Sequence, residues 1–455
     1  MRLWPLNRTV WLRGIVAAPL LAGSSCAAIA GAFEIQQSAY FQGMSFAGVA
    51  TGGPSLASMG WNPATSAFAS YGLTLESSYA VVLPQVDLTV LNPGAQLPPP
   101  GTNQVDMGRD TLLGASFGAW RLNEKTVLGL SVISPFGLAT KPDDVNWAGK
   151  FVAITSKVLS IDAVPSISYE ILPGLSVGAG VQLQYFELQK LRAATPLGGS
   201  TIDGDDFGVG FMAGINYSPV AGTSVGLGFR SSVHHDLEGD TTIQVNPTTA
   251  ALFGLAPTIK APSEVEIDLP EKVTFSFRQA LSPRTRLLGT IDWVNWSRFD
   301  VVPAVLEGPL KLEPLTPALQ PGTSVANFVF KWQDGWLFAL GGEYDWSPNL
   351  TLRAGVGYEI SPIQSATSRL VQVPDNNHTW LSVGASYKVS MNSSIDFAYS
   401  HIFYEDDAPF EQFPASTLLQ GAPPLLGTAD VSIDYFSVSW KLVLGSQNSS
   451  VGPLK

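Results

Sequence analysis

The side chains that could make or break bonds are few: four histidines, His234, His235, His378 and His401, and one cysteine, Cys26. None of the histidines sits in a recognisable nucleophile motif. The His234-His235 pair would suit a metal, but neighbours along a strand point to opposite faces, so one site would rarely use both. No catalytic residue, metal site or cofactor is expected. Apolar side chains near the N-terminus are the stronger signal. Within 31–69 stand Phe33, Ile35, Tyr40, Phe41, Met44, Phe46 and Trp61, interleaved with Gly43, Gly48, Gly52, Gly53 and Gly60. In water such a segment is an exposure problem. Enclosed, it can line an apolar cavity, and its glycines allow close packing and rearrangement. The chemistry would be the reversible holding of a hydrophobic molecule.

The rest of the chain has the pattern of an enclosing wall. Arg2, Arg8 and Arg13 precede an apolar stretch from Gly14 to Ala22 and a small-residue site, Ala28-Ile29-Ala30, so 1–30 reads as a cleavable signal peptide. Gly23 stands where a lipoprotein signal before Cys26 would want leucine. No later stretch reaches the roughly 18 uninterrupted apolar residues of a spanning helix. Alternation with period two dominates instead. Segment 71–81 sets Leu73, Leu75, Tyr79 and Val81 against Thr74, Glu76 and Ser78. Segment 272–278 sets Val273, Phe275 and Phe277 against Lys272, Thr274, Ser276 and Arg278. Segment 381–389 sets Leu381, Val383, Tyr387 and Val389 against Ser382, Gly384, Ser386 and Lys388. Strands with one face to lipid and one to a lumen read this way.

Six short turns, at 122–125, 172–175, 218–223, 282–285, 347–350 and 390–393, alternate with seven longer connections near 84–105, 137–151, 191–204, 237–270, 298–332, 361–376 and 405–430. They predict an all-β fold: a membrane-spanning antiparallel β-barrel of about 14 strands over 70–445, followed by a tail at 446–455. A short helix is expected at 248–255, and the last strand from Tyr435 to Leu444. Such a ring is wider than the eight-stranded kind that side chains can fill, which makes 31–69 the natural plug, or hatch, of the lumen. Only 14% of residues are charged and the net charge is −12. An acidic chain is a poor partner for nucleic acid. The lumen-facing Arg278, Arg286, Asp292, Arg353 and Asp396 are expected to pair among themselves or with water.

The chain resembles the FadL/TodX family of bacterial outer-membrane transporters for long-chain fatty acids and other hydrophobic compounds. The likeness rests on the glycine-rich segment ending in Asn62-Pro63-Ala64, on Leu269-Pro270-Glu271 with Trp293-Val294-Asn295-Trp296-Ser297-Arg298-Phe299, and on the run from Trp332 to Trp336, then Ser361-Pro362 and Pro374 to Gly384. The final strand departs from the pattern, since it lacks the terminal aromatic of outer-membrane barrels. The resemblance implies that Asn62, Pro63 and Ala64 are a plug signature. It implies capture of a hydrophobic molecule by outer loops, here with Leu252 and Phe253, and a pocket formed with Phe33, Ile35, Phe41, Met44, Phe46 and Trp61. Release would be sideways, through an inward kink of the third strand at Ser134, Pro135, Phe136 and Gly137. Proline has no N–H for the ladder and glycine tolerates unusual backbone angles, so pairing there is weakened. Lys190 and Arg192 are candidates for a carboxylate headgroup. The implied partners are the hydrophobic molecule (fatty acid or hydrocarbon) and outer-membrane lipid, with a monomeric barrel. A surface receptor or adhesin on the same scaffold remains the alternative reading.

Overall fold

The structure, a computed structural model, describes residues 33–93 and 101–445. The signal peptide, the first residues of the hatch and the C-terminal tail, as read from the sequence, lie outside the described residues. Fourteen staves form the wall: β1 (Gly72–Val90), β2 (Gln104–Asp106 and Thr111–Arg121), β3 (Thr126–Ile133 and Gly137–Thr140), β4 (Thr155–Leu172), β5 (Leu175–Thr195), β6 (Gly198–Tyr217), β7 (Thr223–Arg230 and Val233–Val245), β8 (Thr258–Leu269 and Lys272–Ala280), β9 (Thr285–Val294 and Val301–Leu306), β10 (Ser324–Val329 and Gly335–Asp345), β11 (Leu350–Ile360), β12 (His378–Ser390), β13 (Ser393–Tyr404 and Ala408–Gln412) and β14 (Leu425–Leu444). Each pairs antiparallel with the next, and β14 closes the ring on β1, from Leu73 opposite Leu444 to Val90 opposite Gly427. Closure leaves no edge strand to expose backbone groups to lipid.

Side chains sort as lipid and lumen demand. On β1, Thr74, Glu76 and Ser78 are buried inside while Tyr79 and Val81 face out. On β14, Tyr435, Ser437 and Ser439 point in and Phe436, Val438 and Trp440 point out. The six short turns fall where the sequence places them, but the opposite end differs from expectation. β1 runs on to Val90, and β5 and β6 meet at a tight turn after Thr195 instead of a loop over 191–204. β7 and β8 continue through 237–270 to a tip helix, α2 (Pro247–Phe253), and β14 starts at Leu425 and not at Tyr435. The physical reason is that strands rising past the membrane keep pairing while their outer faces turn polar. Asp203, Asp205, Glu238, Asp240 and Glu264 sit on paired strands there.

Residues 33–69 lie within the ring. A single helical turn, α1 (Ala39–Gln42), and two 3-10 turns, Leu56–Gly60 and Pro63–Phe68, carry most of the segment, and nearly all of it is buried. Its polar contacts reach around the wall. Gln42 Nε2 donates to Tyr435 O at 2.8 Å, Gly48 N to Thr290 Oγ1 at 2.8 Å, Ala50 N to Ser276 Oγ at 3.0 Å, Gly52 N to Asn216 Oδ1 at 3.1 Å and Leu56 N to Glu76 Oε2 at 2.7 Å. Asn62 is fully buried: its Oδ1 accepts from Ala64 N at 3.0 Å, capping the second 3-10 turn, and its Nδ2 donates to Ala50 O and Ile215 O. Wall glycines make room for it, since a Cβ on Gly214 would collide with Asn62 and one on Gly226 with Ala50 O. At the other end, the connection 361–377 folds back over the ring, with Ile363, Val371 and Val373 buried and Gln372 Nε2 donating to Val152 O at 3.2 Å.

Candidate functional site

The wall's ladder is interrupted between β2 and β3, and proline chemistry explains it. β2 and β3 pair only from Arg121 opposite Val127 to Ser116 opposite Val132. Beyond that level Thr111–Ala115 pairs with β1, and Gly137–Thr140 with β4. The two staves next meet where Lys141 N donates to Met107 O at 3.1 Å. Between these limits Ser134, Pro135 and Phe136 leave the strand path. Ser160 of β4 fastens them from one side: its Oγ accepts from Phe136 N at 2.9 Å and its carbonyl from Ser134 Oγ at 2.6 Å. The N-terminal segment fastens them from the lumen. Ile35 N donates to Pro135 O at 2.7 Å, Gly137 N to Phe33 O at 3.0 Å, and Ser134 N to Gln37 Oε1 at 3.0 Å. The N-terminus thus stands in for β2 as the hydrogen-bond partner of β3.

Aromatic rings gather at this seam. The ring of Phe33 lies 5.8 Å from that of Phe136, 5.0 Å from Trp296, 5.6 Å from Phe299 and 6.0 Å from Trp332. Trp296 and Phe299 come from the 3-10 turn between the two halves of β9, and Trp332 also donates its indole N–H to Ser368 O in the connection above at 3.1 Å. Such edge-to-face contacts each add about 0.5–1.5 kcal/mol beyond area burial. Beneath the cluster lies a cavity of about 30 Å³ lined by Ile35, Trp61, Ile133 and Pro135 together with Glu34, Gln37, Arg230 and Lys272. That space suits one or two waters, since one needs about 10–15 Å³, and is far too small for a long alkyl chain. Its cations are committed: Lys272 Nζ lies 2.6 Å from Glu34 Oε1 and 2.6 Å from Asp292 Oδ2, and Arg230 Nη1 3.2 Å from Asp162 Oδ2.

The residues singled out from sequence divide into three groups. Phe33, Ser134, Pro135, Phe136 and Gly137 meet at the seam, and Ile35 and Trp61 line the cavity. Phe41, Met44 and Phe46 are buried but pack the hatch against itself and the wall: Phe41 lies on Tyr40 at 4.9 Å, Phe46 between Trp61 and Trp380, and Met44 against Gly341 and Gly355. Leu252 and Phe253 are exposed on α2 at the tip of the β7–β8 ribbon. Lys190 and Arg192 are exposed on the upper part of β5 and do not line the cavity. Arg230 and Lys272 take that place, and the alternation that turns Lys272 inward was the signal for it. The remaining lumen charges pair, Arg278 and Arg286 with Glu343 at 2.8 and 2.7 Å and Arg353 with Asp396 at 3.3 Å.

The histidine pair splits across the wall as strand geometry requires. His234 is exposed and bonded to Asp268, while His235 is buried and bonded to Asp206 and Gln184. Two stretches spell Gly-x-Ser-x-Gly, at 114–118 and 174–178, but they run along β2 and into β5 and form no strand-to-helix elbow. Asp236, Glu264 and Glu266 bring carboxylate oxygens within 4.8 Å of one another on the outer face of the β7–β8 ribbon.

A family model described as outer membrane protein transport protein (OMPP1/FadL/TodX) matches residues 21–441. A long-chain fatty acid transport protein of Escherichia coli is 25% identical over 62% of this chain and 67% of its own length. Matches to curated relatives span from 45% to 95% of those proteins. Among solved structures, a FadL homologue of Pseudomonas aeruginosa superposes with a TM-score of 0.78 at 19% identity, covering 91% of this chain and 99% of the other. The toluene transporter TodX of Pseudomonas putida does so with a TM-score of 0.68 at 18% identity, covering 92% and 99%. At these identities the structures establish likeness of fold.

Proposed function

This chain belongs to the OMPP1/FadL/TodX family of outer membrane transport proteins, and from that membership we propose that it carries long-chain fatty acids inward and releases them sideways through the β2–β3 seam. It is an outer-membrane β-barrel that transports hydrophobic compounds. The carrying observation is the coincidence at one place of an unpaired seam, an aromatic cluster and a cavity lined by Lys272 and Arg230. An aromatic or alkane cargo would need the first two alone; an acidic head can in addition take the place of a carboxylate on one of the cations beside the cavity. Segment 31–69 acts as the hatch, and 70–445 as the barrel. α2 with Leu252 and Phe253 serves first contact at the outer surface, the barrel works as a monomer among outer-membrane lipids, and no catalysis is involved.

Energetics favour the seam over a straight passage. Three hydrogen bonds pin the kink to the N-terminus, each worth about 1 kcal/mol net, so freeing it costs about 3 kcal/mol plus the stacking of Phe33. Clearing the lumen means breaking the hatch's bonds to β1, β6, β8, β9 and β14 as well. A lateral exit also keeps the cargo out of water, where each CH₂ of the chain would forfeit about 0.8 kcal/mol. The test is uptake of radiolabelled palmitate by cells lacking their own transporter, comparing the wild type with a variant whose 134–138 segment is replaced by a regular strand. Uptake lost from a correctly inserted variant supports the reading. Uptake by neither protein moves the search to smaller hydrocarbons or to a receptor role, and undiminished uptake by the variant rules out this exit.

A further inference from the structure

We propose that Glu34 is an internal stand-in for the cargo's carboxylate, and that exchange of a free carboxylate for Glu34 on Lys272 unpins the seam. The inference rests on the fatty acid reading above and names the residue that makes the gate selective for an acidic head. Lys272 Nζ is held between two carboxylates, each 2.6 Å away. They differ in how they are held. Asp292 belongs to the wall, on β9, and its Oδ1 accepts from Thr274 Oγ1 at 2.7 Å. Glu34 belongs to the N-terminal segment, bridges Phe136, and stands between the two residues whose backbones fasten the kink, Phe33 and Ile35. Ion pair and seam pin are therefore three consecutive residues, and neither can move far without the other.

The surroundings suit an incoming carboxylate. Gln37 is buried, lines the same cavity, and spends its Oε1 on Ser134 N, while its Nε2 has no hydrogen-bond partner among the described residues. Lys272 and Gln37 thus offer one donor to each oxygen of a headgroup. A carboxylate offers Lys272 a charge-assisted bond in place of the one to Glu34, whereas the hydroxyl of a neutral molecule of equal length offers only a weaker, uncharged acceptor. Neutral chains, with no carboxylate to exchange for Glu34, should leave the seam pinned.

Purified barrel in detergent micelles tests this by hydrogen exchange at the Ile35 and Gly137 amides, with palmitate and with hexadecanol, its neutral counterpart in length. Palmitate is expected to accelerate exchange at both amides and hexadecanol to leave them protected. Glu34→Gln, which keeps the side-chain shape, is expected to exchange fast without ligand and to bind palmitate roughly tenfold tighter, because the pinned state no longer competes. Protection unchanged by palmitate, equal acceleration by hexadecanol, or a Glu34→Gln variant with no gain in palmitate affinity each overturns the proposal. If hexadecanol and palmitate both bind in those cases, transport of hydrophobic chains stands and only the exchange falls; if neither probe binds, the transport reading falls with it.

Discussion

Trp296 sits at the centre of the seam's aromatic cluster: it touches Phe33, Phe136, Phe299 and Trp332 while being 1% exposed. Its role is packing without charge, so its loss should not distinguish acidic from neutral cargo. Trp296→Ala is expected to weaken binding of palmitate and hexadecanol alike, by roughly tenfold, the equivalent of about one to two aromatic contacts. Titration of each probe against the purified variant checks it; a change confined to palmitate would show that the ring acts on the headgroup. Trp296 and Phe299 stand out in the sequence as a motif, and Phe33 as one of several hatch aromatics. Nothing local joins them, because residue 33 reaches its partners across more than a hundred positions of chain. Lys272 was visible as a lumen residue by its alternation with Val273, but its pairing with Glu34 depends on the same distant closure. Lys190 and Arg192 drew notice as cations near a strand end, and the structure leaves both in solvent.

The hatch and the wall fit by subtraction, with glycines on β5, β6 and β7 giving up side chains where the hatch approaches. Gly226 is the clearest, because a Cβ there would meet the Ala50 carbonyl. Gly226→Val is expected to unseat the hatch while the barrel still inserts, so single-protein conductance in planar bilayers should rise well above that of the nearly closed wild type. Unchanged conductance would mean the hatch can settle elsewhere. At the outer tip, α2 exposes Leu252 at 72% and Phe253 at 39% on a ribbon that pairs independently of it. Replacing both by aspartate is expected to raise the palmitate concentration for half-maximal uptake several-fold with the maximal rate unchanged; a fall in maximal rate alone would assign α2 to a later step. The ribbon itself escaped the sequence reading. Where strands leave the membrane their outer faces turn acidic, at Asp203, Asp205 and Glu238 for example, and a paired strand then reads as a loop.

The closed barrel was legible because lipid and lumen impose opposite chemistry on successive residues, as Thr74, Glu76 and Ser78 alternate with outward Tyr79 and Val81. The kink was legible from Pro135 and Gly137, which cannot serve a ladder as other residues do. What could not be read locally is that residues Phe33–Gln37 supply hydrogen bonds to the broken ladder from inside the ring. The hatch lies within the ring, 361–377 folds back over it, and the cavity meets the β2–β3 seam at Ile133 and Pro135. The most direct measurement is photocrosslinking in living cells with a fatty acid that carries a diazirine near its tail, followed by mapping of the labelled peptides. Adducts on 111–115 and 133–137, at the two lips of the seam, are the expected result. Adducts that pass instead down the lumen to residues beside the short turns, around Arg121 and Ser176, would contradict lateral release.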